Sequence, residues 1–142
     1  MRIHEIMSEN VQCVGLETTI EEAARKMRSL DVGPLPVCGD DDRLAGMLTD
    51  RDIVIRAVAE GRDPHTTVVR EVMTPDIHFC FEDQDVAEAA RLMESKQIRR
   101  LVVLNREKRM VGIVSLADLA FKTQDEMLAG EAVEAISEPA HV

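Results

Sequence analysis

The feature that most constrains the fold is an internal repeat. Displacing the 142-residue sequence by 66 positions sets Ile3–Ile53 against Val69–Leu119 without a gap, and 13 of the 51 aligned pairs are identical. Such self-similarity makes the chain two copies of one supersecondary unit. The identical pairs include Glu5 with Glu71, Met7 with Met73, Glu22–Arg25 with Glu88–Arg91, Gly46 with Gly112 and Asp52 with Asp118, while Thr49 with Ser115 is a conservative pair.

Each copy carries the same succession of signals. Short apolar stretches, Val11–Val14 and Ile77–Phe81, predict a first strand. Thr19-x-x-Glu22 and Asp85-x-x-Glu88 then mark helix starts, where a side-chain oxygen caps the first turn and the glutamate reaches back. Apolar residues follow at helical spacing: Ile20, Ala23, Ala24 and Met27 in one copy, Val86, Ala89, Ala90 and Met93 in the other. Two further apolar segments, Leu35–Cys38 and Leu44–Leu48, flank Gly39-Asp40-Asp41-Asp42-Arg43, which has hairpin-turn chemistry. The second copy answers with Leu101–Leu104 and Met110–Val114, and a last helix is predicted from about Asp50 to Glu60 and again after Ser115. The fold class is therefore α/β (α+β), two tandem β-α-β-β-α repeats. Each is too small to bury a core well alone, so the two are expected to pack as one pseudo-twofold module. The expected division is domain 1 at 1–62, a polar linker at 63–67, domain 2 at 68–123, and an acidic C-terminal helix and tail at 124–142 that has no counterpart in the first copy.

Composition narrows the function. A formal net charge of -10 repels phosphate backbones and anionic lipid, which argues against nucleic-acid or membrane binding. With 2% aromatic residues and neither Trp nor Tyr, the composition argues against base stacking on aromatic platforms. No run approaches the roughly 20 apolar residues of a membrane span, and no secretory leader is evident at the N-terminus. A cytoplasmic protein is expected, its three cysteines reduced by default.

The residues that carry chemistry close the third strand of each copy. Gly46-Met47-Leu48-Thr49-Asp50-Arg51-Asp52 and Gly112-Ile113-Val114-Ser115-Leu116-Ala117-Asp118 each place a hydroxyl three residues before a carboxylate where a helix begins. That spacing fits a capping box with Asp for Glu. It equally suits a nucleotide, since a carboxylate accepts from both ribose hydroxyls and free N–H groups face phosphate. Gly46 and Gly112 allow close approach of a ligand or of neighbouring backbone, or serve strand packing.

Taken twice over, these endings resemble the CBS domain family. The openings Ile6-Met7-Ser8 and Val72-Met73-Thr74-Pro75 and the strand Leu35-Pro36-Val37 share the resemblance, which covers nearly the whole chain. Gly39–Ile55 is similar to small stand-alone bacterial members of the hypoxic-response type, implying a stress-response setting. The resemblance implies a regulatory pair of domains without catalysis, requiring no cofactor and binding AMP, ADP, ATP or S-adenosylmethionine in the cleft between repeats. It also implies a homodimer or another protein partner that responds to occupancy. Asp52 and Asp118 would then hold ribose, with Thr49 and Ser115 near ribose or phosphate. Arg99 and Arg100 match the basic residues that meet phosphate, whereas the first copy has Gly33 and Pro34 there, leaving Arg51 or Arg56 as substitutes.

The remaining candidates are weaker. Cys13 and Cys38, expected to end adjacent strands, are candidates for a redox-sensitive contact or for burial as small apolar groups. Asp40-Asp41-Asp42 lacks the spaced oxygens of a calcium loop. His4, His65, His78 and His141 are scattered, so no metal site is expected. The alternative to a ligand sensor is a ligand-free dimeric interaction protein or stress-response scaffold, in which the motifs act as caps and Cys13 with Cys38 supplies redox control.

Overall fold

The structure, a computed structural model, describes residues 1–9, 11–75, 77–123 and Gly130. The acidic helix and tail expected over 124–142 fall almost wholly outside them. Two compact units form: one is Gln12–Ile77, and the other joins Met1–Val11 to the chain from His78 onward.

In the first unit β1 (Val14–Gly15) runs into α1 (Ile20–Leu30), β2 (Pro34–Cys38) and β3 (Leu44–Thr49), followed by α2 (Asp50–Ile53) and α3 (Val69–Val72). The sheet order is β1-β2-β3, with β1 parallel and β3 antiparallel to β2. The second unit repeats it with β4 (Phe79–Phe81), α4 (Val86–Lys96), β5 (Arg100–Leu104), β6 (Met110–Ser115) and α5 (Leu116–Lys122). Correspondence extends to register: Pro34 lies opposite Thr49 as Arg100 lies opposite Ser115, and the hairpins slip at Val37/Cys38 and Val103/Leu104 alike.

Local chemistry accounts for the element ends. Thr19 Oγ1 accepts from Glu22 N–H at 3.2 Å and Asp85 Oδ1 from Ala87 N–H at 2.9 Å, the forward half of the expected caps. The return bonds from Glu22 and Glu88 are not among the described bonds. Both helices stop at a left-handed residue, Asp31 (φ 54°) and Gln97 (φ 53°), whose N–H bonds back to the last turn.

Three expected elements differ by more than one residue, while β2, β3, β5 and β6 each run one residue longer than expected. The first strand is Val14–Gly15 rather than Val11–Val14, because only those two residues find partners on β2, at Val37 and Cys38. Its counterpart is Phe79–Phe81 rather than Ile77–Phe81, held by Val102, Val103 and Leu104. The helix after Thr49 is α-helical only to Ile53 and continues as a π-helix over Val54–Val58, where Ala59 N–H reaches Val54 O at 2.9 Å.

Each unit is completed by the opening segment of the other sequence repeat. Ile3 N–H bonds to Gln84 O at 2.9 Å, His4 N–H to Glu82 O at 3.0 Å, and Ser8 exchanges two bonds with Ile113 at 2.8 and 3.0 Å. In the first unit Val69 N–H bonds to Thr18 O at 2.8 Å, Arg70 N–H to Leu16 O at 3.0 Å, and Thr74 exchanges two bonds with Met47 at 2.8 and 2.9 Å. These are the same bonds displaced by 66 residues. Ile3 and Ile6 enter the core with Val86, Met93, Leu101 and Leu119; Val69 and Val72 enter the core with Ile20, Met27, Leu35 and Leu48. Burying one such side chain contributes about 1.5–3 kcal/mol. The docked pair therefore outweighs any single cap in holding its unit together.

Candidate functional site

At the end of β3, Thr49 has extended backbone (φ -113°, ψ 160°), which carries its side chain over the first turn of α2. Thr49 Oγ1 accepts from Asp52 N–H at 3.0 Å, and Asp52 Oδ2 accepts from Thr49 N–H at 3.0 Å. The capping box read from the sequence is thus complete. The other oxygen of Asp52 receives the Thr74 hydroxyl at 3.4 Å and lies 3.9 Å from Arg56 Nε. Arg56 in turn donates to the carbonyls of Met73 at 3.2 Å and Val72 at 3.5 Å.

The second unit builds the same arrangement. Asp118 N–H donates to Ser115 Oγ at 3.1 Å, Ser115 N–H donates to Asp118 Oδ2 at 2.8 Å, and Lys122 Nζ stands 3.0 Å from Asp118 Oδ1. Lys122, 66 residues after Arg56, also donates to Ile6 O at 3.1 Å. In both units a cation ties the aspartate to the docked opening segment, and both aspartates are buried at 9% exposure. The hydroxyls of Thr49 and Ser115 each accept one bond, and their own protons have no acceptor among the described residues.

The glycines of the motif serve the docking. A Cβ on Gly46 would stand 2.7 Å from Thr74 O, and one on Gly112 would stand 2.7 Å from Met7 Sδ and 2.8 Å from Ser8 O. Neighbouring backbone therefore accounts for both glycines. Glu5 and Glu71 have a matching role: their carboxylates accept from Arg2 N–H at 2.5 Å and Val68 N–H at 2.9 Å.

The basic candidates gather in one unit. Leu116 N–H donates to Arg99 O at 2.8 Å and Arg100 pairs with Ser115, so both arginines flank the Ser115–Asp118 box with exposed side chains. Across from Thr49 the first unit has Pro34, preceded by Gly33. Arg51 beside Thr49 is exposed, and its N–H donates to Asp50 Oδ1 at 3.0 Å. Thr74, Lys122 and Asp50 were missed as site residues. The Ser8/Thr74 and Arg56/Lys122 pairs at the repeat offset were the available signal for the first two.

Cys38 ends β2 as expected, but Cys13 precedes β1 rather than ending it. Burial raises the Cys38 thiol to about 12, aided by the neighbouring Cys13 side chain and the charge of Asp42. Cys80 is raised to about 12 by burial. The three cysteines are free thiols. Among the described residues no group of three or more His, Cys, Asp or Glu side chains is placed to hold a metal ion. An open depression of about 440 Å³ lined by Phe79, Cys80, Gln84, Glu88, Arg91 and Leu92 shares no residue with either box.

Two sheets of one topology, each ending in a hydroxyl–aspartate box, define a tandem α/β repeat protein. The chain belongs to the CBS domain family, whose model matches residues 3–58 and 69–124. Hypoxic response protein 1 of Mycobacterium tuberculosis (strain CDC 1551 / Oshkosh) is 44% identical over 135 residues, covering 95% of this chain and 93% of that protein. The crystal structure of Hypoxic Response Protein I with two coordinated zinc ions superimposes with a TM-score of 0.76 at 45% identity, covering 84% of this chain and 97% of that one. A CBS domain protein from Pyrobaculum aerophilum complexed with AMP matches with a TM-score of 0.74 at 26% identity, covering 94% of this chain and 99% of its own. A CBS domain pair in complex with 5'-methylthioadenosine and S-adenosyl-L-methionine gives 0.70 at 26% identity, covering 84% and 97%.

Proposed function

We propose that this chain is a non-catalytic sensor that binds an adenosyl ligand (AMP, ADP, ATP or S-adenosylmethionine) at its hydroxyl–aspartate boxes and passes occupancy to a second copy or a protein partner. The observation that carries the reading is the pair of boxes: two matched hydroxyls with a proton to donate, each beside a carboxylate fixed by its own helix. A carboxylate offers about four lone-pair positions. At Asp118 the cap and Lys122 leave two of them for ribose hydroxyls, and at Asp52 the cap, Arg56 and the Thr74 hydroxyl leave one. The AMP and S-adenosylmethionine complexes of relatives support the ligand class.

A sensor needs a listener. Val54, Ile55 and Val58 are 54%, 50% and 67% exposed along the π-helix, and Phe121, matching Ile55, is 86% exposed. Exposed apolar side chains of this kind suit a homodimer contact. Ligand that binds one arrangement of the copies better than another shifts the balance by its differential affinity.

Calorimetry with AMP, ADP, ATP, S-adenosylmethionine and NADH tests the reading against wild type, Asp52→Ala and Asp118→Ala. Binding to wild type that weakens in an aspartate variant is expected; no binding by any compound, or unchanged affinity in both variants, overturns it.

One observation favours a second reading, a dimeric scaffold under redox control: the Cys13 thiol is a close enough neighbour to help raise the Cys38 thiol, and both are free. In that case light scattering gives one mass with or without nucleotide, and oxidised protein migrates differently on non-reducing gels. A nucleotide-dependent mass contradicts it.

A further inference from the structure

The two boxes share their geometry but not their charge. In the first unit Asp50 N–H donates to Gly33 O at 3.1 Å, and the Asp50 carboxylate lies against Gly33, where an added Cβ would stand 3.1 Å from Oδ1 and 3.3 Å from Cγ and Oδ2. The bond from Arg51 N–H to Asp50 Oδ1 at 3.0 Å holds the carboxylate there. At the matching positions of the second unit the same backbone bond joins Leu116 to Arg99 at 2.8 Å. An acid over a glycine is thus replaced by an uncharged side chain beside an arginine. Arg100 likewise replaces Pro34 opposite the capping hydroxyl.

The formal charges follow. Around Thr49, Asp50 and Asp52 are balanced by Arg51 and Arg56; around Ser115, Asp118 is outnumbered by Arg99, Arg100 and Lys122. A phosphate entering beside Thr49 meets a fixed carboxylate. One entering beside Ser115 meets two exposed guanidiniums, the side chain best suited to phosphate.

We infer that the boxes take different ligands: the Ser115–Asp118 box takes a phosphate-bearing adenosine, and the Thr49–Asp52 box takes an adenosyl compound without phosphate, neutral or carrying a sulfonium cation. This rests on the adenosyl reading above and adds a division of labour between its sites. One chain would then respond both to a nucleotide and to an unphosphorylated adenosyl metabolite. Each would bind in the presence of the other.

Calorimetry on the full chain with AMP, 5'-methylthioadenosine and S-adenosylmethionine separates the possibilities. AMP is expected to fill one site per chain and to weaken at least tenfold in Arg99→Ala/Arg100→Ala, with 5'-methylthioadenosine binding unchanged in that variant. Asp50→Leu, which copies Leu116, is expected to open a second AMP site. AMP affinity should fall with added salt while that of 5'-methylthioadenosine stays level. Two equal AMP sites on wild type, or AMP affinity indifferent to the loss of both arginines, overturns the division while leaving the adenosyl reading intact. No binding by any of the three compounds overturns both.

Discussion

Thr49 and Asp52 exchange two hydrogen bonds, each at 3.0 Å, the backbone N–H of one donating to the side-chain oxygen of the other. The exchange closes the first turn of α2 and holds the carboxylate where a ligand would meet it. Cap and site use the same atoms. Thr49→Ala removes the hydroxyl and should cost about 1 kcal/mol of stability, whereas Thr49→Ser keeps the cap and should stay close to wild type in a urea melt. If Thr49→Ala loses nothing, the cap contributes nothing at this site.

Gly46 and Gly112 sit where the docked segments pass. Alanine at Gly46 drives a methyl into the Thr74 carbonyl, and at Gly112 into Met7 and Ser8. Crowding of this kind costs about 1–3 kcal/mol, and both variants should show it, since each methyl meets a backbone carbonyl, Thr74 O at 2.7 Å or Ser8 O at 2.8 Å. Gly61 provides the comparison: it has φ +72° with nothing within 4 Å, so Gly61→Ala should lose only the left-handed backbone penalty of about 1–2 kcal/mol. Equal losses at all three glycines would argue against the close approach.

The thiols define a pH dependence. Burial raises Cys38 and Cys80 from the ordinary 9.0 to about 12. A group whose folded value is raised contributes its full stability below pH 9, and that contribution is lost as pH climbs from about 9 through about 12. The urea midpoint should therefore fall across this window. Cys80→Val, copying Val14 at the matching position, should make the fall shallower. At pH 7.5 an alkylating reagent should modify half-buried Cys13 well before the other two. Equal rates at all three would contradict the burial.

Gln97 ends α4 in the left-handed region at φ 53°. Gln97→Gly should stabilise the protein by roughly 0.5–1 kcal/mol, measured as a rise in the denaturation midpoint. A fall would mean that the Gln97 side chain makes a contact worth more than the backbone strain.

Much of this was legible in the sequence. The 66-residue offset, the capping residues Thr19, Asp85, Thr49 and Ser115, and the apolar stripes of α1 and α4 are local patterns, and local patterns survive in a single chain. The exchange of opening segments was not. Ile3 and Val69 read alike in sequence, so periodicity says which face is buried but not which sheet receives it. The π-helix after Ile53 was also hidden, because one extra residue per turn leaves apolar spacing almost unchanged over so short a span. In the candidate site the box itself was legible, whereas the Asp50 carboxylate over Gly33 and the Thr74 hydroxyl on Asp52 depend on non-local packing. The missing basic residues of the first copy were visible as Gly33 and Pro34; the acid that takes their place was visible only as a position, not as a neighbour.

The central claim is that the boxes are ligand sites as well as caps. Titration of AMP into wild type, Asp118→Asn and Asp52→Asn tests it, since asparagine keeps an oxygen for the cap but loses the charge and one acceptor. The account predicts saturable binding to wild type, at least tenfold weaker binding in Asp118→Asn, and little change in Asp52→Asn, with all three melting within a few degrees of one another. Identical AMP binding in wild type and Asp118→Asn would contradict it.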